Sequence, residues 1–229
     1  MADRFGDTLS GGVKTLRIWG RRNSINVQKV MWAAGELGLA HEHIDAGGPF
    51  GGLETDEFGT MNPNRRVPVI DDDGTIVWES HAIVRYLAQK YGTGSLAPGD
   101  AGLRAQSDMW MDWTLADLQP AFIGGVFWNF YRTPEEQRNW KIIRQGLARS
   151  TILFKLLDRH LDGRNFIAGD TLTMGDIPAG AQLYRYFTLQ IDRVPLPNVE
   201  AWYERLQARE AYRTHVMIAY DDLFGRLAF

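Results

Sequence analysis

The stretch N-R-R-V-P-V-I-D-D-D-G at residues 64–74 sets the fold question for the whole chain. Val67, Val69 and Ile70 have the β-branched character of a strand, which ends in the turn residues Asp72, Asp73 and Gly74. Pro68 stands where that strand begins. Proline has no N–H to give a sheet ladder, so it belongs at a first position, an edge or a bulge. After the turn, T-I-V-W-E (75–79) reads as the return strand of a hairpin. S-H-A-I-V-R-Y-L-A-Q-K-Y (80–91) then reads as an amphipathic helix.

Toward the N-terminus, T-L-R-I-W-G (15–20) reads as a buried strand. A helix is expected over 23–38, with Val27, Val30, Met31, Ala34 and Leu37 at helical spacing. Asn23 or Ser24 can cap its start and Gly38 can end it. H-E-H-I-D (41–45) is a short strand. The order β-α-β, a connecting segment, then β-β-α implies a small mixed sheet of four strands. Toward the C-terminus, residues 93–100 have the turn chemistry of a linker. Beyond them only helices are expected: one starting over 101–118, one from Arg149 to Leu161 and one from Val199 to Arg209. The reading is an α/β domain over 15–92, a linker over 93–100 and an all-α domain over 101–229. Residues 1–14, polar and Gly-rich without an apolar signal core, read as a flexible tail.

Composition narrows the function. The 229 residues are 45% hydrophobic and carry a net charge of −3, so there is no basic footprint for nucleic acid. No apolar run is long enough to span a bilayer. Cysteine is absent, which removes disulfides, thiolate metal sites and any thiol nucleophile of the protein's own. The five histidines show no metal-ligand spacing, so no metal is expected. A cytoplasmic protein fits this usage.

Three stretches together resemble the glutathione S-transferases: N-P-N-R-R-V-P-V-I (62–70) with W-E-S-H-A-I-V-R-Y-L (78–87), and G-D-T-L-T-M-G-D-I-P (169–178). I-W-G-R-R-N-S-I-N-V-Q-K-V (18–30) is similar to the bacterial, serine-containing, theta-like branch. The resemblance spans about residues 15–215. It implies a thioredoxin-like N-terminal domain, an all-helical C-terminal domain and a homodimer. It also implies a cis Val67–Pro68 bond, which turns the N–H and C=O of Val67 outward to pair with the cysteinyl unit of glutathione like an added strand.

The rest of a glutathione site follows from the same resemblance. Ser80 at a helix N-terminus suits the γ-glutamyl carboxylate and Glu79 its ammonium; Ser80 could equally be a plain N-cap. Arg65 and Arg66 can fork onto the glycyl carboxylate, with Arg66 preferred and the other arginine solvated. Transferases give the thiol a Tyr, Ser or Cys partner. Cys is missing and no Tyr precedes Tyr86, so Ser24 is the candidate hydroxyl, with Asn26 and the Asn23 amide as alternatives; a simple N-cap role for Ser24 stays open. Arg21 and Arg22 read as surface charge. In the second domain, Thr173 and Asp176 form a capping box that reads as a folding element. Trp113, Trp128 and Tyr131 are the candidate electrophile pocket. Arg132 either meets an acidic substrate group or pairs on the surface. The implied activity is glutathione conjugation to a small hydrophobic electrophile, with no metal, nucleic acid or membrane partner. Glutathione-dependent peroxidase or disulfide reductase chemistry, and a non-catalytic scaffold role, are the alternatives.

Overall fold

A computed structural model of the chain describes residues 15–227; the expected tail at 1–14 lies outside them. β1 (Leu16–Trp19), β2 (His41–Ile44), β3 (Val69–Asp72) and β4 (Thr75–Trp78) form one sheet in the order β2-β1-β3-β4. β1 runs parallel to β2 and antiparallel to β3, with Ile18 opposite Ile70 and Trp19 opposite Val69. The sheet is mixed and four-stranded, as the element order implies. Pro68 precedes the first residue of β3, so no ladder bond is lost to it.

α1 (Ile25–Glu36) and α3 (Ser80–Tyr91) cover one face of the sheet. Leu16, Ile18 and Ile70 pack there on Val27, Val30, Met31, Ile83 and Leu87. The opposite faces of the same two helices, through Trp32, Ala33, Val84 and Ala88, join the larger core of the helical half. α1 is therefore buried nearly all round, as expected of a helix clamped between two layers. α2 (Asp56–Met61) lies within the segment read as a connection. Only its Phe58 is buried, so it offers no period to read, although Thr55 caps it by accepting from the Phe58 N–H.

α4 (Ala101–Trp113) starts on the Asp100 cap. It continues as π-helix through Thr114–Leu118 and Pro120–Arg132, so the aromatic run after Gly124 is helical. α5 (Trp140–His160) begins at Trp140 rather than Arg149, capped by Asn139. Its first turn is largely exposed, Trp140 and Ile142 included, and so shows no buried stripe in the sequence. Where α5 crosses the π-helical stretch, a Cβ on Gly146 would lie 2.7 Å from the Gly125 carbonyl carbon, so the backbones touch directly.

α6 (Asp176–Thr188), α7 (Pro197–Gln207) and α8 (Glu210–His215) complete the bundle. The capping motif is wider than a reciprocal pair. Asp176 is fully buried and accepts from the Thr173 N–H (2.9 Å), the Ile167 N–H (2.8 Å) and the Trp202 indole (3.1 Å). Thr173 turns its hydroxyl to the Gly175 N–H. Asp176 thus ties the start of α6 to the 161–175 loop and to α7.

Candidate active site

The end of β1, the first turn of α1, the 65–67 loop and the π-helical stretch meet around a cleft of about 490 Å³. Ser24 occupies the N-cap position of α1, yet its side chain makes no capping hydrogen bond. The plain-cap reading is thereby set aside, and Ser24 lines the cleft at the positive end of the helix dipole. No acidic residue stands in that first turn. Asn26, one turn in, also lines the cleft. Its Oδ1 accepts from Lys29 at 3.0 Å, which leaves the amide NH2 as the group Asn26 can offer a ligand.

Across from this turn, the Val67–Pro68 peptide is cis. The N–H and C=O of Val67 take no partner among the described residues. Gly20 brings β1 up against this loop. It sits at φ +145, and a Cβ there would lie 2.4 Å from Val27 Cγ2 and 3.0 Å from Val67 Cβ. The two neighbouring arginines differ. Arg65, at φ +50, donates to the carbonyls of Leu53 (2.8 Å) and Thr55 (2.9 Å), so it fastens the loop and is not the solvated partner expected of it. Arg66 is exposed at the cleft edge. Arg21 is half-buried and lines the cleft, contrary to the surface reading, whereas Arg22 is exposed. Arg21 is held in because the turn after β1 folds back onto the helical half.

Beneath the cleft lies a group that the sequence reading missed. Lys29 is fully buried on α1, and its ammonium donates to Asn26 Oδ1, to Gln119 Oε1 of the π-helical stretch and to His81 Nε2 (3.0 Å). Three N–H bonds meet three acceptors, so a buried cation is tolerated. Burial still pushes Lys29 down to about 7, against the pull of nearby Glu79. Burial, with Lys29 adding to it, holds His81 neutral. Because an ammonium can only donate, Nε2 is the acceptor and the ring proton falls to Nδ1. Glu79 and Ser80 open α3 next to this network, Glu79 exposed at φ +70 and Ser80 buried; neither is among the residues lining the cleft. The available signal was Lys29 itself, the one basic residue of α1, three residues after Asn26.

The helical wall carries Ile123, Phe127, Trp128 and Arg132 of the π-helical stretch and Arg185 of α6. Trp128 therefore joins the cleft. Trp113 does not: it packs edge-on against Trp110 and the main core. Tyr131 stacks on Phe127 and faces a separate cavity with Tyr184 and Tyr220. Helical phase explains both, since these side chains point away from the stripe formed by 123, 127, 128 and 132. Arg132 is buried under the Trp128 ring, 3.9 Å from its centroid, which excludes an exposed pairing. Among the described residues no cluster of His, Asp or Glu could hold a metal ion, and no helix is long and apolar enough to cross a membrane.

A mixed four-stranded sheet with a cis-proline loop, facing a helical bundle across a cleft, defines a two-domain protein with a thioredoxin-like N-terminal half and a helical C-terminal half. The chain belongs to the glutathione S-transferase family. Residues 19–95 match the glutathione S-transferase N-terminal domain and 153–205 the C-terminal domain. Glutathione S-transferase GstB of Escherichia coli K12 is 40% identical over 89% of this chain and 98% of its own length. Among solved structures, the theta class glutathione S-transferase of Xanthomonas axonopodis pv. citri, with glutathione bound, has a TM-score of 0.86 at 42% identity, covering 90% of this chain and 99% of that one. The glutathione transferase BmGSTD1 of Bombyx mori gives 0.81 at 26% identity, covering 92% and 97%.

Proposed function

We propose that this glutathione S-transferase binds glutathione along the 65–67 loop and activates its sulfur at Ser24. The free N–H and C=O of Val67 pair with the cysteinyl unit as one more strand. Arg66 takes the glycyl carboxylate, and Ser80 with Glu79 takes the γ-glutamyl end. The Ser24 hydroxyl and the Asn26 amide donate to the sulfur at the positive end of α1, favouring the thiolate over the thiol. The thiolate then attacks a carbon electrophile resting on Ile123, Phe127 and Trp128. A hydrogen bond and a dipole aimed at the sulfur do the chemistry, with no covalent enzyme intermediate. The observation that carries this reading is the Ser24 hydroxyl, at a cap position but spending no bond on the cap.

Calorimetric titration with glutathione, followed by conjugation of a chlorodinitrobenzene, tests it. Micromolar-range binding and saturable conjugation are expected; no glutathione binding would overturn the reading in favour of a scaffold. Running a hydroperoxide and a mixed disulfide beside it separates conjugation from peroxidase and reductase chemistry. We further propose a cytoplasmic homodimer that serves detoxification. The exposed apolar side chains Ile76 and Trp78 on β4 and Leu103 and Met109 on α4 support pairing.

A further inference from the structure

α1 carries one basic side chain, Lys29, and buries it completely. The head group ties three elements together: Asn26 one turn back on α1, Gln119 on the helical half and His81 on α3. Asn26 and Gln119 line the cleft, whereas Lys29 and His81 do not. The network therefore stands directly behind the cleft wall. An ammonium has hydrogens to give and no lone pair, so each amide must turn its carbonyl oxygen toward it. Fixing one edge of an amide fixes the other. Asn26 Oδ1 takes Lys29 at 3.0 Å, and the Gln119 NH2 lies 3.5 Å from the same oxygen. The NH2 edge of Asn26 is left to the cleft. The two edges are opposite in effect on a bound sulfur: N–H groups favour the thiolate, and a carbonyl oxygen disfavours it.

This orientation does not depend on Lys29 staying charged. Burial brings the lysine to about 7, with Glu79 at the start of α3 pulling it up and Arg185 of α6 pressing it down. His81, the titratable group in contact with it, is neutral. A neutral amine keeps two N–H groups for Asn26 and Gln119. It also gains a lone pair, which accepts from His81 once the ring proton moves to Nε2. Both amides thus keep their oxygens on Lys29 in either state. We propose that Lys29 is a positioning residue for conjugation: from behind the cleft it holds the Asn26 amide with NH2 toward the glutathione sulfur and oxygen away. This rests on the glutathione reading and adds to it a residue outside the cleft lining. Without Lys29 the amide is free to turn over, and its oxygen would then oppose the thiolate that Ser24 favours.

The test is ultraviolet titration of the bound thiol in wild type, Lys29→Met, Asn26→Ala and the double variant, with glutathione affinity and melting temperature measured on each. Lys29→Met should raise the thiol midpoint by about one pH unit, the size of one hydrogen bond to a charged group, and Asn26→Ala by a similar amount. The double variant should match Asn26→Ala, because Lys29 acts through that amide. Lys29→Arg, whose head group also only donates, should keep most of the wild-type midpoint. A purely structural lysine would lower the melting temperature and leave the midpoint where it was, which overturns the proposal. Shifts that add in full also overturn it, since they assign Lys29 to a direct effect of its charge. If Lys29→Met does not fold, a crystal structure of the wild-type glutathione complex decides. Asn26 Nδ2 within hydrogen-bond reach of the sulfur is expected, and an amide turned away from it refutes the proposal. A wild type that binds no glutathione, or binds it with the midpoint of a free thiol, overturns the underlying reading instead.

Discussion

Replacing Asp176 by alanine should destabilise the protein in a pH-dependent way without touching glutathione affinity. The carboxylate is fully buried and serves three donors with few other options: the Ile167 and Thr173 amides and the Trp202 indole. Orphaning each costs about 1–3 kcal/mol, or roughly 3–9 kcal/mol together. Against this stands the burial of the charge. Desolvation raises Asp176 from the ordinary 3.8 to about 6 despite its hydrogen bonds. That gap is worth about 3 kcal/mol, so the net loss at neutral pH is roughly 0–6 kcal/mol. The sign of the pH effect follows. Between pH 3.8 and about 6 the folded state holds a proton that the unfolded state has released. Stability therefore falls as pH rises through this window and is level above it. Urea unfolding of both proteins at matched concentration, near pH 4 and near pH 7, reads the difference. The gap between wild type and variant should narrow by about 3 kcal/mol on going to the higher pH. A gap that widens would mean that the hydrogen bonds hold the acid below its ordinary range, and the reasoning would fail.

Gly20→Ala places a methyl against Val27 and Val67 at a φ that disfavours side chains; a loss of about 1–3 kcal/mol and weaker glutathione binding are expected by thermal melt and calorimetry. Wild-type affinity in that variant would show that the 65–67 loop does not hold the tripeptide. Lys29→Met removes a buried ammonium whose folded value of about 7 lies below the unfolded 10.5. The unfolded chain binds the extra proton between those values, so wild-type stability should rise from neutral to alkaline pH, and the variant should lack that rise in parallel urea titrations.

Much of this fold was legible because it follows from short-range chemistry. The hairpin after Pro68, the amphipathic α3 and the turn-rich 93–100 segment each carry their own signal. α2 and the first turn of α5 bury too little to announce themselves. Ser24, Val67 and Trp128 could be placed at one cleft from motif and order, since each sits at an element boundary or on a short helical stripe. Trp113 and Tyr131 could not, because aromatic content does not reveal the phase of a π-helical stretch. Lys29, Gln119 and Arg185 were missed for a different reason. Their roles depend on α1 packing between the two layers, which joins residues 90 and more positions apart in sequence.

The central claim is that Ser24 lowers the thiol pKa of bound glutathione, and ultraviolet titration of the thiolate in the binary complex measures that directly. A midpoint well below the roughly 8.5 of a free thiol is expected for the wild type. In Ser24→Ala it should lie about one to two pH units higher, the worth of one hydrogen bond to a charged sulfur. Identical midpoints in the two proteins, with glutathione bound in both, would contradict the account.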